Sequence, residues 1–254
     1  ATTEIYTLSL HDALPICLSG ALRRALPKEP EIMSVFWALI PAAGSGSRMG
    51  TAVKKQFLPM KDGRELLFHT LDIFQRHDAV SGIVLPVSEE DIPFCQKRCA
   101  ELGFTKVIQV VSGGATRQES VRKGLAALPR DCTHVIIHDA ARPFLDLSSL
   151  DRVLADGERY GASILAVPVK DTIKMDDGNG FVRMTPDRSA LWSVQTPQVF
   201  RKDLILEAHR AAFLAGDAGC TDDAQVVERY TNHPVRLTLG AYSNLKITTP
   251  EDLP

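Results

Sequence analysis

The sequence predicts an α/β fold in which a largely parallel sheet is covered by helices on both faces. From Met33 onward, short apolar runs alternate with segments whose apolar residues recur at helical spacing. The apolar runs are continuous, which is typical of strands buried on both faces. After Lys170 the alternation stops, and two short runs flank Asp-Asp-Gly-Asn-Gly, which indicates a β-hairpin. In sheets of this kind, ligands bind beyond the carboxyl ends of the strands.

The predicted elements follow one another along the chain in a regular order. The first helix illustrates the helical signal, since Leu67, Leu71 and Phe74 fall on one stripe. Strands are predicted at 35–41, 82–87, 106–111, 134–138, 162–169, 235–239 and 245–248, with hairpin strands at 172–175 and 181–184. Helices are predicted at 64–77, 89–102, 116–128, 147–160, 202–215 and 222–230. We expect one domain over 33–254, with a projecting arm at about 169–198.

The composition excludes several classes of protein. The 254 residues contain 29 Lys and Arg against 31 Asp and Glu, so a generally basic nucleic-acid-binding surface is not expected. No apolar run approaches the roughly 20 residues that span a bilayer, so no membrane partner is expected either. The five cysteines are scattered and odd in number, which favours a reducing, cytoplasmic location over a disulfide framework. Cys95 and Cys99 lie one helical turn apart without further ligands nearby, and we expect buried thiols there.

Residues 1–32 do not share the α/β pattern. The stretch TLSLHDALPI at 7–16 looks like a translated sequencing-library adapter. A signal peptide or an organelle transit peptide is disfavoured by acidic residues such as Glu4 and Asp12. We therefore expect a non-native, disordered tail and a native start at or near Met33.

The first loop with chemical potential is PAAGSGSRMG, at 41–50. Its small residues allow backbone N–H groups to approach a phosphate or a base closely. Arg48 lies within it, and Lys54 and Lys55 follow, so that two or three cations could neutralise a triphosphate. The alternative is an ordinary strand-to-helix turn. The glycine spacing fits neither a Walker A motif nor a dinucleotide fingerprint.

The second loop is SGGATRQESV, at 112–121, in which Gly113 and Gly114 leave the backbone free beside a ligand. Ser120 is a candidate for hydrogen bonding to a base edge. The alternative is a helix N-terminus capped by Thr116 or Ser112.

The third loop is HDAARP, at 138–143, at the end of an apolar run. Asp139 is a candidate ligand for Mg²⁺ or a ribose hydroxyl, and Arg142 is a candidate phosphate ligand or a brace for the loop. The alternative is a structural Asp–Arg ion pair. His138 is expected to be a packed residue at the strand end. Near the chain end, Lys246 interrupts an apolar run, which indicates that it faces a polar cleft.

Taken in order, eight motifs resemble the 2-C-methyl-D-erythritol 4-phosphate cytidylyltransferase family of the non-mevalonate isoprenoid pathway. The motifs are PAAGSGSRMG, KKQFLP, SGGATRQESV, HDAARPF, PVKDTIK, LWSVQTPQVF, TDDA and NLKITTPEDL. The resemblance implies a three-layer αβα, Rossmann-like nucleotidyltransferase fold with a mostly parallel mixed sheet and a β-arm. It also implies a reaction with Mg²⁺ in which CTP and methylerythritol phosphate give CDP-methylerythritol and pyrophosphate, by in-line attack at the α-phosphate.

The resemblance further implies a role for particular residues. Arg48 and Lys55 match the family's stabilisers of the transition state, and Lys246 matches a cation on the α-phosphate that also orients the substrate. Ala42, Ala43, Gly114 and Ser120 match the family's cytosine contacts, and Asp139 matches the residue near the ribose and the metal. From the loops themselves, Gly44, Gly46 and Arg142 are expected nucleotide contacts as well. The expected sugar-phosphate pocket consists of Thr172, Arg188, Thr196 and Thr221. In the family, Thr172 and Arg188 come from the partner subunit, so a homodimer is expected.

Two departures from the family pattern and two alternative functions remain. Ala115 stands where some relatives carry an acidic residue, and the chain stops at Pro254 where relatives continue into a further helix, so we expect a truncated C-terminus. A ribitol-5-phosphate cytidylyltransferase is the nearest alternative, but Ala43 in the first loop, HDAAR in the third, and Trp192 favour methylerythritol phosphate. A catalytically inactive nucleotide-binding homologue is the other alternative.

Overall fold

The computed structural model describes residues 33–44, 54–249 and 252. The chain divides into two units, Ala1–Met33 and Ser34–Pro254. The expectation of a disordered tail at 1–32 therefore lies outside the described residues, as do Gly46 and Arg48 of the first loop.

The second unit is built on a seven-stranded sheet with the order β3-β2-β1-β4-β8-β5-β9. Its strands are β1 Phe36–Leu39, β2 Val80–Val87, β3 Val107–Ser112, β4 His134–Ile137, β5 Ala162–Pro168, β8 Trp192–Arg201 and β9 Arg236–Leu239. Neighbouring pairs are parallel except for the two pairs made by β8, which runs against β4 and β5. The prediction of a mostly parallel mixed sheet is confirmed.

Helices cover both faces of this sheet. Successive residues of a strand point to opposite faces, and both faces of this sheet are apolar. Phe36 and Ala38 of β1 belong to one apolar cluster, whereas Trp37 and Leu39 belong to another. The helices are α1 Leu66–Arg76, α2 Ile92–Glu101, α3 Arg117–Ala126, α4 Leu147–Tyr160, α5 Lys202–Leu214 and α6 Asp223–Tyr230. Helices α1, α2 and α4 contribute to the first cluster, and α3, α5 and α6 to the second. The three-layer αβα arrangement is confirmed.

Strand β8 was not predicted as a strand, although it lies between β4 and β5. Gln195, Thr196 and Gln198 make its sequence resemble a polar loop, yet all three are buried. They are tolerated because their side chains are paired; for example, Gln195 Nε2 donates to Ala241 O at 2.9 Å. Residues 192–198 of the expected arm thus belong to the main sheet, and the projecting part ends before Trp192.

The remainder of the expected arm does contain a hairpin. It is formed by β6 Met175–Asp176 and β7 Val182–Met184, which pair with each other in antiparallel fashion and stand apart from the main sheet. The predicted strand at 245–248 is wrong. That segment is irregular, and it is held to the third loop by a hydrogen bond from Ile247 N to Ala141 O at 2.8 Å.

Cys95 and Cys99, one helical turn apart on α2, are both buried. Burial raises the pKa of Cys95 to about 12 and that of Cys99 to about 11, so the expectation of buried thiols is confirmed. Within the described ranges there is no group of three His, Cys, Asp or Glu residues suited to a metal ion. In the same part of the chain, no helix is both long enough and apolar enough to cross a bilayer.

Candidate active site

A cavity of about 580 Å³ opens where the loops after β1, β3 and β4 leave the sheet. These strands are parallel, so their carboxyl ends lie at one edge, where an α/β sheet binds its ligands. The structure brings eight of the predicted site residues to its wall. They are Ala42, Ala43, Gly44, Lys55, Gly114, Ser120, Asp139 and Lys246.

The first loop is held in place by Gln56, which sequence reasoning did not select. Its Nε2 donates to Ala42 O at 2.8 Å and to Gly44 O at 3.1 Å, and the residue is buried. The start of the loop is also hydrogen-bonded to the neighbouring strand β2, since Ala42 N donates to Pro86 O at 2.7 Å. Gln56 thus fixes the path of the small-residue backbone that faces the cavity. Gln56 stands in the KKQFLP motif directly after the two lysines, and its residue type alone carries no signal of this role.

The second loop packs closely on the first. A Cβ at Gly113 would collide with Ala43 Cβ and would lie 3.0 Å from Ser120 Oγ, so glycine is required for this approach. Ser120 Oγ accepts from Gly114 N at 2.9 Å and donates to Thr116 O at 2.9 Å. Thr116 caps α3 by accepting from Glu119 N, as the alternative interpretation of this loop predicted. Ser120 therefore shapes the loop as well as lining the cavity.

Asp139, on the third loop, is surrounded by cations. Arg117 Nε lies 3.0 Å from its Oδ1, Lys246 Nζ lies 2.8 Å from its Oδ2, and Arg142 Nε lies 3.8 Å from the same oxygen. Burial alone would raise the pKa of the Asp139 carboxyl. The charges of Arg117, Lys246 and Arg142 outweigh that effect and hold its pKa well below the usual range. Asp139 is therefore ionised at every physiological pH.

Arg142 is a brace rather than part of the cavity wall. Its Nη1 donates to Asn244 O at 2.8 Å and ties the third loop to the segment that carries Lys246. Lys246 does face the polar cavity as expected, although not from a strand.

Thr196 lies behind Asp139 and contacts His138. His138 Nε2 is 3.0 Å from Arg142 O, a carbonyl that can only accept, so this nitrogen carries the hydrogen. His138 Nδ1 is then the acceptor for the Thr196 hydroxyl at 3.0 Å. Thr196 Oγ1 in turn accepts from Asp139 N at 3.1 Å. The buried, neutral His138 thereby sets the backbone at Asp139, and its expected packing role is refined to this network.

Acid is expected to destabilise the protein through His138. Burial lowers the pKa of its imidazole from 6.5 to about 4, whereas the unfolded chain takes up a proton below pH 6.5. Because the unfolded state then holds more protons, the free energy of unfolding falls as the pH drops through this window, by up to about 3 kcal/mol. Urea unfolding between pH 7 and pH 4 measures the effect. His138→Gln should lose less stability over that range, and equal losses in both proteins would contradict this role.

Several predicted residues lie away from the cavity wall. Thr172 and Arg188 are exposed residues of the arm, and Arg188 Nη1 donates to Lys170 O at 2.8 Å. Thr221 is exposed beside α6, where its backbone N–H donates to Gln225 Oε1. Lys54 points away and forms ion pairs with Glu90 at 2.6 Å and Asp91 at 2.7 Å. Lys55, its neighbour in sequence, is the lysine of this pair that lines the cavity.

Sequence reasoning missed one charged residue of the wall. Arg117 lines the cavity and bridges Asp139 to Asp223, with its Nη1 2.8 Å from Asp223 Oδ2. It stands in the second loop motif, but a single arginine at a helix start carries no signal of which carboxylates it will meet in the fold.

The fold and this cavity define the class of the protein as an α/β nucleotidyltransferase. The sequence model of the IspD family, 2-C-methyl-D-erythritol 4-phosphate cytidylyltransferase, matches residues 36–254. The chain belongs to this family.

Individual relatives agree with the family match. A protein of Desulforamulus reducens named 2-C-methyl-D-erythritol 4-phosphate cytidylyltransferase is 48% identical over 85% of this chain and 92% of its own. The crystal structure of 4-diphosphocytidyl-2C-methyl-D-erythritol synthase from Anaerococcus prevotii has a TM-score of 0.75 at 32% identity, covering 87% of this chain and 95% of that one. The corresponding enzyme of Thermus thermophilus has a TM-score of 0.70 at 36% identity, covering 85% and 94%. The ribitol-phosphate alternative is not favoured.

Proposed function

We propose that this protein transfers CMP from CTP to 2-C-methyl-D-erythritol 4-phosphate, releasing pyrophosphate. The observation that carries the proposal is the meeting of Lys55, Lys246 and Asp139 with two small-residue loops in one cavity, in a chain of this family. The lysine side chains can neutralise the charge of a triphosphate. The backbone N–H groups of the small-residue loops can come close enough to a base to hydrogen-bond it. The presence of these residues together argues against a catalytically inactive homologue.

The chemistry requires positioning and charge neutralisation more than covalent help. A phosphate oxygen of the sugar phosphate attacks the α-phosphorus of CTP in line, and the bond from that phosphorus to the oxygen of the leaving pyrophosphate breaks. The nucleophile is already an anion, so no general base is needed. Lys55, with Arg48, stabilises the charge that develops around phosphorus, and Lys246 holds the α-phosphate and orients the attacking group.

The nucleotide is held by the loops that line the cavity. In this proposal the cytosine lies against Ala42, Ala43, Gly114 and Ser120, the phosphates lie against Gly44 and Gly46, and Asp139 lies near the ribose. Arg142 keeps the third loop in register with the segment of Lys246, to which it is hydrogen-bonded. Discrimination of the base through backbone groups explains why the loop residues are small.

Asp139 would also hold Mg²⁺. Magnesium usually takes one or two protein carboxylates and completes its shell with phosphate oxygens and water. Asp139 fits that mode, since it is ionised and is the one carboxylate on the cavity wall among the described residues. Its Oδ2 contacts Lys246 Nζ at 2.8 Å. The ion would supply further neutralisation of the triphosphate.

The sugar-phosphate pocket is proposed to be completed by a second subunit. Thr172 and Arg188 belong to the projecting arm and do not line the cavity wall, whereas Thr196 and Thr221 belong to the main body. The arm exposes an apolar surface that includes Met175, Phe181, Val182 and Met184. Such a surface indicates a protein contact. We therefore propose a homodimer in which each arm reaches its partner's site.

The location of the reaction is proposed to be the cytoplasm. The cysteines in the described ranges are unpaired, and the substrates are a nucleotide and a sugar phosphate. Unpaired cysteines suit a reducing compartment.

The proposed function is tested by pyrophosphate release from CTP with Mg²⁺, comparing 2-C-methyl-D-erythritol 4-phosphate with ribitol 5-phosphate. We expect turnover with the methylerythritol compound to exceed that with ribitol phosphate by at least about 100-fold in kcat/KM, because the two differ in the groups that contact the pocket. Equal turnover would contradict the substrate assignment. No turnover with either, together with retained CTP binding, would favour the inactive homologue.

Complementation tests the exchange of arms between subunits. Lys55→Ala and Arg188→Ala are each expected to be nearly inactive as homodimers. If Arg188 acts on the partner's site, a mixed dimer has one site with both defects and one site with neither, so mixing the two variants should restore up to about half of the wild-type activity per mixed dimer. Absence of complementation in dimers shown by differential tagging to be mixed would rule out the exchange.

A further inference from the structure

A line of side-chain contacts runs from the middle of α5 to the catalytic cavity. His209 Nε2 lies 3.1 Å from Asp223 Oδ1, Asp223 Oδ2 lies 2.8 Å from Arg117 Nη1, and Arg117 Nε lies 3.0 Å from Asp139 Oδ1. Of these four residues, the proposed function gives a role only to Asp139. The other three come from α5, α6 and α3, so tertiary packing alone brings them together.

His209 and Asp223, the two residues of this line farthest from the cavity, are among the most deeply buried polar residues that the structure describes. His209 is 2% exposed and Asp223 is 1% exposed. A carboxylate buried to that extent costs several kcal/mol unless its charge and its lone pairs are satisfied. Burial would raise the pKa of Asp223, but Arg117 and the hydrogen bond from His209 lower it below its usual range, so the group is ionised. Its backbone N–H is also fixed, donating to Gln198 Oε1 at 3.2 Å.

The direction of each contact follows from this ionisation. A carboxylate only accepts hydrogen bonds, so His209 Nε2 carries the hydrogen and donates to Asp223. Asp223 Oδ1 accepts this hydrogen bond, and Oδ2 forms the ion pair with Arg117. Arg117 contacts Asp139 through Nε and Asp223 through Nη1. Because the guanidinium group is planar and rigid, it holds the two carboxylates at fixed positions relative to each other.

We propose that Arg117, Asp223 and His209 are positioning residues that orient Asp139 toward the nucleotide. This role rests on the proposed function, in which Asp139 serves the ribose and Mg²⁺. Arg117 holds Asp139 Oδ1 and leaves Oδ2 to face Lys246. Loss of the hydrogen bond from His209 frees Asp223 to rotate, Arg117 loses one of its two anchors, and the Asp139 carboxylate loses its fixed orientation. The nucleotide half of the site is affected, and the sugar-phosphate half is not.

The test compares His209→Leu with His209→Gln. Glutamine carries a side-chain N–H near the position of Nε2, whereas leucine fills similar space without a donor. We expect His209→Leu to weaken CTP binding on the order of tenfold, as befits a hydrogen bond to a charged group. KM for the sugar phosphate should stay within about twofold, and His209→Gln should recover most of the CTP affinity. His233→Leu is the control, since His233 contacts Tyr160 O away from the cavity and its replacement should leave CTP binding unchanged.

Calorimetric titration with CTP and Mg²⁺, without sugar phosphate, separates this proposal from the proposed function. Failure of wild-type turnover would remove the function, while the comparison of CTP affinities among the variants would still decide the positioning role. Wild-type CTP affinity in His209→Leu would overturn the proposal, as would an equal loss in His209→Gln. Arg117→Lys is a second variant that is tested if His209→Leu does not fold. It keeps the charge but has a single nitrogen in place of the separate Nε and Nη1 donors that reach Asp139 and Asp223. It should therefore show the same selective loss of CTP affinity, and unchanged affinity would overturn the proposal.

Discussion

Lys55→Ala is expected to lower kcat by about 100- to 1000-fold, the loss seen when a preorganised transition-state contact is removed. Lys55 lines the cavity beside the small-residue loop, where the charge of the five-coordinate phosphorus would develop. KM for CTP should change much less, because the other cations and the loop backbone still bind the triphosphate. Steady-state kinetics with CTP varied at saturating sugar phosphate gives both parameters.

Lys54→Ala is the matched control for this prediction. The two lysines are adjacent in sequence, but Lys54 is engaged by Glu90 and Asp91 and does not line the cavity. Its replacement removes two partly exposed ion pairs and should cost no more than about 1 kcal/mol of stability. Turnover should stay within about twofold of wild type. Similar losses of kcat in the two variants would contradict the assignment of the transition-state cation to Lys55.

Asp139→Asn is expected to affect both stability and nucleotide binding. Asp139 neutralises Arg117, Lys246 and Arg142 at one point, and an amide leaves these cations facing one another. Removing one partner from a buried ion-pair cluster costs about 3 kcal/mol. Because Asp139 is also the proposed ligand of ribose and Mg²⁺, CTP binding in the presence of Mg²⁺ should fall by at least about tenfold. Urea unfolding and calorimetric titration measure the two effects.

Asp203→Asn is the control for the stability part of this experiment. Asp203 also forms an ion pair with an arginine, Arg201, but its side chain is 74% exposed. Its loss should lower the free energy of unfolding by less than about 1 kcal/mol. If Asp139→Asn were no more destabilised than this surface variant, the cations around Asp139 would not depend on its charge. Wild-type CTP affinity in Asp139→Asn would remove Asp139 from the nucleotide site.

Local patterns were sufficient to predict most elements of the fold. Continuous apolar runs gave the positions of β1 to β5, and the helix predicted at 147–160 has the bounds of α4. Strand β8 escaped because Gln195, Thr196 and Gln198 are polar. Their burial is stabilised by partners such as Ala241 and Asp222, which lie far along the chain. The run at 245–248 failed in the opposite way: Ile247 packs against Ala141 of the third loop, Leu245 is exposed, and the segment forms no strand.

The family, the three-layer fold and the residues expected at the carboxyl edge of the sheet could all be inferred from the sequence, since those signals lie in contiguous motifs. Which charges meet became known from the folded structure. It separated Lys54 from Lys55, placed Thr196 behind Asp139, and joined Arg117 to Asp139 and Asp223. This difference arises because apolar periodicity is a property of neighbouring residues, whereas an ion pair depends on side-chain distances of a few ångströms between segments that only folding brings together.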